Sequence, residues 1–391
     1  MTTGVRTPAD SGSDAETLAD LAQVLERFAK PDVARVRALR ESGRALDRDV
    51  WSRLAQPGWV GLAVPESLGG AGGDEAAEAV VAEKLGAGAY PEPYVAASVM
   101  TTRLLTCLAA GPDDRAGELL ERIVSGEELV SVATPAQAGG PPLGEAYDIR
   151  VEKQDSGLLL NGVIDWVPVA DADSFVVQAS SDGAAVLVTV PRTADGLSVG
   201  RRDLADGTTA ATLRFDGVSV PAVDVLGTGE DAGTALREAF DAALIGTAAE
   251  LTGVADRALS LTLEYISTRQ QFGRPIGSFQ VLQHRAVDMY IQLRVARAAL
   301  SAAISVRARS TSAAQRSASA AGAYARACLA AGLICRHAVQ LHGAIGFTDE
   351  YDLGFYVNRM LVLTAWLGGA DRNRRRYAEL TGAMPDREDR R

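Results

Sequence analysis

The chain has 391 residues, with 39 Lys or Arg against 50 Asp or Glu, a net charge of −11, and 47% apolar residues. That length exceeds what one hydrophobic core organises and predicts two or three domains, while an acidic balance without a basic run argues against a nucleic-acid partner. No run approaches the roughly 18–20 consecutive apolar residues of a membrane span.

The N-terminus reads as a polar leader, because it lacks the charged-then-apolar pattern of a secretory signal. From residue 15 to about 127, apolar residues recur at helical spacing through LADLAQVLERFA, DRDVWSRLAQ and DEAAEAVVAEKLG. The glycine-rich stretch 69–73 interrupts them as a connector, preceded at best by a weak strand in LAVPESLGG, and Asp74 is placed to cap the next helix. Between about 128 and 232 the period changes to short β-branched runs divided by Gly, Pro, Asp and Ser, which predicts an antiparallel barrel or sandwich. From about 233 the helical period returns in long Ala/Leu/Arg stretches that imply a bundle. The expected fold is therefore α+β and multidomain: an N-terminal helical domain over 1–127, a middle antiparallel β-barrel domain over 128–232 and a C-terminal four-helix bundle over 233–391. The run Arg372–Arg376 reads as a solvated helix face.

The familiar phosphate-loop, nucleophile-elbow and zinc-protease motifs are absent. Gly227, Gly229 and Gly233 imitate a dinucleotide fingerprint with one residue too many, and read as a linker between barrel and helix. His284, His337 and His342 have no Cys or carboxylate at metal-ligand spacing, so no metal site is expected. Cys107, Cys328 and Cys335 form no CxxC pair and point to a reducing cytoplasm, with Cys328 and Cys335 as small core residues.

Two constellations carry chemistry. One runs from Arg269 to Gln280, where a helix is expected to end at Gly273 and its last turn holds a cation, two amides and an aromatic ring. A guanidinium can chelate phosphate oxygens while a ring offers a stacking face, which suits a planar anionic ligand. The competing reading makes Arg269 a helix-end cation and Phe272 a core residue. The other runs from Gln340 to Tyr351, where Gly343, Ala344 and Gly346 permit close approach by a ligand or a neighbouring backbone, or simply join two helices.

Taken together, TRxxFGxxIxxFQ over 268–280 and the 340–347 segment, after an α-then-β prefix, resemble the acyl-CoA dehydrogenase family. GWVGLAVPESLGG is similar to part of that family's N-terminal domain, and Asn161–Trp166 matches its NGxxxW stretch. The resemblance implies FAD held between the β-domain and the bundle, and α,β-dehydrogenation of an acyl thioester, with hydride passing to flavin N5. It places Arg269, Phe272 and Gln280 on the cofactor, Trp166 and Thr134 beside the flavin, and Gln340, Gly343 and Ala344 against the cofactor of a neighbouring subunit. It further implies a tetramer, homo- or heteromeric, and an electron-transfer acceptor protein.

The departures from the family pattern bear on catalysis. Pro168 replaces the Thr whose hydroxyl usually sits near N5, and the flavin loop reads Ala133 to Gly140 in place of TEPxxGSD, so its hydrogen bonds must come mostly from backbone. The two usual base positions hold Leu367 and Ala243, neither of which titrates. Glu250 lies seven residues beyond Ala243 on the same helix face, about 10.5 Å along the axis. It is the candidate catalytic base, or else a structural ion-pair partner of an Arg such as Arg257. Three functions stay open: a dehydrogenase using Glu250, a base-less subunit of a heteromeric dehydrogenase, and a redeployed flavoprotein on the same scaffold.

Overall fold

A computed structural model describes residues 13–111, 114–135, 149–154, 157–181, 183–348 and 351–383. Six helices come first: α1 (Ala15–Phe28), α2 (Val33–Glu41), α3 (Arg48–Ala55), α4 (Glu75–Ala87), α5 (Thr101–Leu108) and α6 (Arg115–Val124). All but α5 start at an aspartate (Asp14, Asp32, Asp47, Asp74 or Asp114) whose carboxylate accepts a first-turn N–H and satisfies a donor that the helix leaves open. A π-helical stretch, Tyr94–Met100, leads into α5. The weak strand expected before Gly69 is not formed; that stretch makes two short 3-10 turns, Trp59–Gly61 and Glu66–Leu68.

The middle of the chain forms β1 (Val130–Ala133), β2 (Ile149–Gln154), β3 (Gly157–Pro168), β4 (Ser174–Ser181), β5 (Ala184–Pro191), β6 (Leu197–Asp203), β7 (Thr209–Pro221) and β8 (Val225–Thr228). They make one sheet in the order β6-β7-β3-β2-β4-β5-β8, with β1 attached to β4. Most pairings are antiparallel, as the short runs with tight turns require. The exceptions are β1, parallel to β4, and a single parallel contact between Arg150 of β2 and Ser180 of β4.

The bundle begins at Gly229, four residues earlier than the periodicity suggests, with the 40-residue α7 (Gly229–Thr268). A two-residue hairpin, β9 (Gln270–Gln271) and β10 (Arg274–Pro275), then leads to α8 (Gln280–Arg309), α9 (Ala313–His342), α10 (Leu353–Ala365) and α11 (Gly369–Leu380). The last two act as one broken helix, interrupted at Leu367, whose φ of 53° is rare for a branched residue. The segment Ala313–Gly346 is, contrary to the composition-based expectation, long and apolar enough to cross a membrane, but 67% of its apolar window is buried, as in the core helix of a bundle. Cys328 and Cys335 of α9 are buried, and burial pushes both thiols up to about 12.

Helix α7 is the spine. It crosses α4 so closely that the chain has glycine on both sides of the contact: a Cβ on Gly86 would lie 2.3 Å from the Glu250 carbonyl oxygen, and one on Gly253 only 1.9 Å from that of Glu83. A second tie is ionic. The buried Arg307 of α8 contacts Glu75 of α4 at 2.8 Å and Glu238 and Asp241 of α7 at 3.5 and 3.7 Å. Arg316 adds a 2.6 Å bond to Glu238, and Arg376 a 2.8 Å bond to Asp241. The Arg372–Arg376 run is therefore not a uniformly solvated face, because Asp241 is buried and draws Arg376 inward.

Candidate active site

All three units wall one cavity of about 400 Å³. The helical unit contributes Pro91, Pro93 and Ala96, the sheet contributes Trp166, Pro168 and Thr209, and the bundle contributes Glu250, Arg359 and Trp366. The walls are otherwise largely apolar, and Glu250 and Arg359 are their only charged residues among those described.

Trp166 reaches the rim through a defect in the sheet. The β3–β7 register shifts between Ile164 and Val167, and Trp166 takes a φ of 62°, so its indole leaves the pleat and stays 46% exposed. The Arg202 guanidinium covers one part of the ring at 5.1 Å.

Glu250 is buried midway along α7, and its carboxylate is held from one side only. The Nε of Arg359, reaching in from α10, donates to Oε1 at 2.7 Å, and its Nη2 lies 2.6 Å from the same oxygen. Oε2 has no partner among the described residues. The Arg359 Nη1 bonds Asp206 Oδ2 at 2.7 Å, while Asp206 Oδ1 accepts from the backbone N–H and hydroxyl of Thr208. Burial raises the proton affinity of Glu250 above the usual carboxylate range, against the opposing pull of Arg359. For Arg359, burial works against its charge, but Glu250 and Asp206 outweigh that and raise its proton affinity. Arg257, the ion-pair partner weighed on sequence grounds, instead sits beside Tyr356.

The usual base position is closed. Leu367 is fully buried, and the cavity is lined by its neighbour Trp366. Ala243 is fully buried as well.

The other sequence-derived residues gather at the far end of the bundle. Helix α7 stops at Thr268 rather than at Gly273, and Arg269 to Pro275 fold back as the hairpin. Phe272 stands at its tip with a φ of 54° and 90% exposure, so it is not a core residue. Its ring meets Phe279 edge to face at 6.0 Å. Arg269 and Gln280 are exposed too, and Arg269 makes no ion pair among the described residues. Gln340, Gly343 and Ala344 are exposed at the end of α9, and the Tyr265–His342 stack at 4.4 Å brings that segment beside the hairpin. Thr134 differs: it is buried and its hydroxyl bonds Gln178. Residues 136–140 of the expected flavin loop lie outside the described residues.

A guanidinium with no ion pair among the described residues and a 90% exposed ring on one hairpin suit the phosphates and base of a dinucleotide, and the half-exposed indole at the cavity rim suits a flavin ring. They fit FAD, and Arg269, Phe272, Gln280 and Trp166 are the groups that would hold it.

The fold and this site define a flavin-dependent acyl-thioester oxidoreductase. The N-terminal domain model of acyl-CoA dehydrogenases matches residues 15–127 and the C-terminal domain model matches 233–380. The chain belongs to the acyl-CoA dehydrogenase family, FAD-dependent enzymes acting on CH–CH groups. It is 31% identical over 340 residues to the acyl-CoA dehydrogenase IpdE2 of Mycolicibacterium smegmatis, covering 87% of this chain and 89% of that protein. It is 25% identical over 340 residues to CarC, a subunit of the caffeyl-CoA reductase-Etf complex of Acetobacterium woodii, covering 84% and 88%. Among solved structures, a chain of the ChsE4-ChsE5 complex from Mycobacterium tuberculosis superposes with a TM-score of 0.84 at 26% identity, covering 95% of this chain and 99% of that one.

Arg359 and Asp206 escaped the sequence reading. The available signal was a lone cation in the apolar stretch LGFYVNRMLVLTAW, which has to find a carboxylate once buried.

Proposed function

We propose that the chain catalyses α,β-dehydrogenation of a CoA- or carrier-protein-bound acyl thioester, with Glu250 as the base. The observation that carries this is the unpartnered Oε2 of the only carboxylate lining the cavity among the described residues. Bound FAD supplies the hydride acceptor. The chain's part is to exclude water from the apolar cavity, to place the acyl group between Trp166 and Glu250, and to take the α-proton on Oε2. Glu250→Gln keeps the shape and removes the base. Reconstituted with FAD, it should stay yellow and folded while substrate no longer bleaches the flavin anaerobically; bleaching at the wild-type rate would make Glu250 structural.

A second reading is favoured by the buried Leu367 and by the pairing of Glu250 with Arg359. In it the chain is the base-less half of a heteromeric dehydrogenase, as the two-component ChsE4-ChsE5 complex suggests. Co-purification with a related subunit, and no bleaching of the isolated chain by any acyl thioester, would select it. No bleaching with or without such a subunit would select a redeployed flavoprotein.

Assembly belongs to either reading. Val287, Ile291, Val295 and Val306 leave a stripe of α8 uncovered at helical spacing, which supports a dimer of dimers in which the Gln340 segment reaches a neighbour's cofactor. Light scattering reads this directly. The free cysteines favour a reducing cytoplasm, and the Etf-linked relative CarC favours an electron-transfer flavoprotein as acceptor.

A further inference from the structure

We propose that Arg359, anchored by Asp206, is the positioning residue for Glu250: by holding Oε1 with its Nε and Nη2 it turns Oε2 into the cavity. The inference rests on the reading of Glu250 as base.

The position of the cluster in the cavity wall supports this role. The three side chains come from α7, α10 and the β6–β7 turn, and each is at least 88% buried, with side-chain exposures of 6%, 12% and 3%. Here both guanidinium nitrogens converge on one oxygen, and the third points away to Asp206. The cluster also carries two carboxylates for one cation. Such a buried, unbalanced group is a weak source of stability compared with apolar packing, so stability does not explain it. A carboxylate free to rotate in an apolar cavity would lose the alignment that proton abstraction demands, and a fixed Oε1 removes that freedom.

Charge follows from the same arrangement. The charged groups facing Glu250 are Arg359 from α10 and Asp206 from the turn, whereas α4 presents Gly86. The guanidinium favours the ionised base, and Asp206 opposes it while holding the guanidinium in place. The two anchors therefore act on the base in opposite directions.

The test follows the Glu250 carboxyl band by difference infrared spectroscopy on the full FAD-loaded chain, assigned by its disappearance in Glu250→Gln, together with the pH profile of flavin reduction. Arg359→Gln should raise the proton affinity of Glu250 at least roughly tenfold and move the acid limb of the profile upward by about one pH unit. Asp206→Asn should move both the other way. Arg359→Lys should restore the midpoint without restoring the rate, because a point charge does not fix Oε1 as a planar fork does. If neither Arg359→Gln nor Asp206→Asn shifts the midpoint, the proposal is overturned; if Arg359→Gln does not fold, the Asp206→Asn shift decides. Failure of the base reading is separately visible, since Glu250→Gln would then bleach normally while the infrared midpoint still reports the pair.

Discussion

Replacing Gly253 by Ala puts one methyl group where two helix backbones touch. Its Cβ would stand 1.9 Å from the Glu83 carbonyl oxygen and 2.9 Å from the Ala87 nitrogen, so no side-chain rotation relieves the clash. An ordinary C···O contact needs about 3.3 Å, so α4 and α7 must separate by roughly 1.4 Å. Overpacking of this kind costs about 1–3 kcal/mol or more, against a helix-propensity gain of about 1 kcal/mol. A clash this close to backbone atoms belongs at the upper end of that range, which leaves a net destabilisation of about 2 kcal/mol. The control is Gly332→Ala in α9, where nothing lies within 4 Å of the added carbon, and where the propensity gain of about 1 kcal/mol should survive. Unfolding midpoints of the two variants, followed by circular dichroism in urea, should lie on opposite sides of wild type. The displacement should also slow flavin reduction, since Gly253 lies within one turn of Glu250. A Gly253→Ala protein as stable as Gly332→Ala would refute the close crossing.

Phe272→Ala should leave the thermal midpoint unchanged, because the ring is 90% exposed, yet lower the flavin retained on gel filtration. Arg269→Ala should weaken FAD binding by about 1.5–3 kcal/mol, read by titration; equal flavin affinity would remove the hairpin from the cofactor site. Glu78 is buried and its carboxyl is pushed up to about 7 from 4.5, mainly by burial, although Arg103 lies at 3.5 Å. Its contribution is therefore full below about pH 4.5 and fades as pH rises toward 7, a loss of order 3 kcal/mol, and Glu78→Gln should flatten the stability profile over that window. Parallel urea midpoints for wild type and variant across that range would contradict it. Ile291→Asp, on the uncovered stripe of α8, should lower the mass seen by light scattering without loss of helix signal.

The fold was legible because its periods are long and clean. Three-and-four spacing, then short β-branched runs, then uninterrupted Ala-rich helices announce the order of helices, sheet and bundle that the structure has. Asp74 was legible as a cap because the signal is local, and its carboxylate does accept the Ala77 N–H at 2.9 Å. The end of α7 was not. Arg269 leaves the helix at ψ 123°, and a two-residue hairpin carries too little periodicity to announce itself. Glu250 stood out as a lone carboxylate among small residues, but its partner is 109 positions away on another helix. Helix spacing could propose only Arg257, because a pairing that depends on tertiary packing leaves no trace in a local pattern. The Trp166 outcome lies between these cases: NGxxxW marked the residue, and the register shift that turns it outward is visible only in the paired strands.

The ionic tie around Arg307 also sets an order of events during synthesis. Glu75 leaves the ribosome 232 residues ahead of the guanidinium that neutralises it. At about 5–20 residues per second the wait is roughly 10–50 s. For most of that interval, until α7 emerges, the face of α4 that will meet α7, including Gly86, has no helix to cover it. The first helical unit is thus an early product that depends on late segments, and a nascent chain halted before α7 should expose α4 to proteases and chaperones even with its sheet complete.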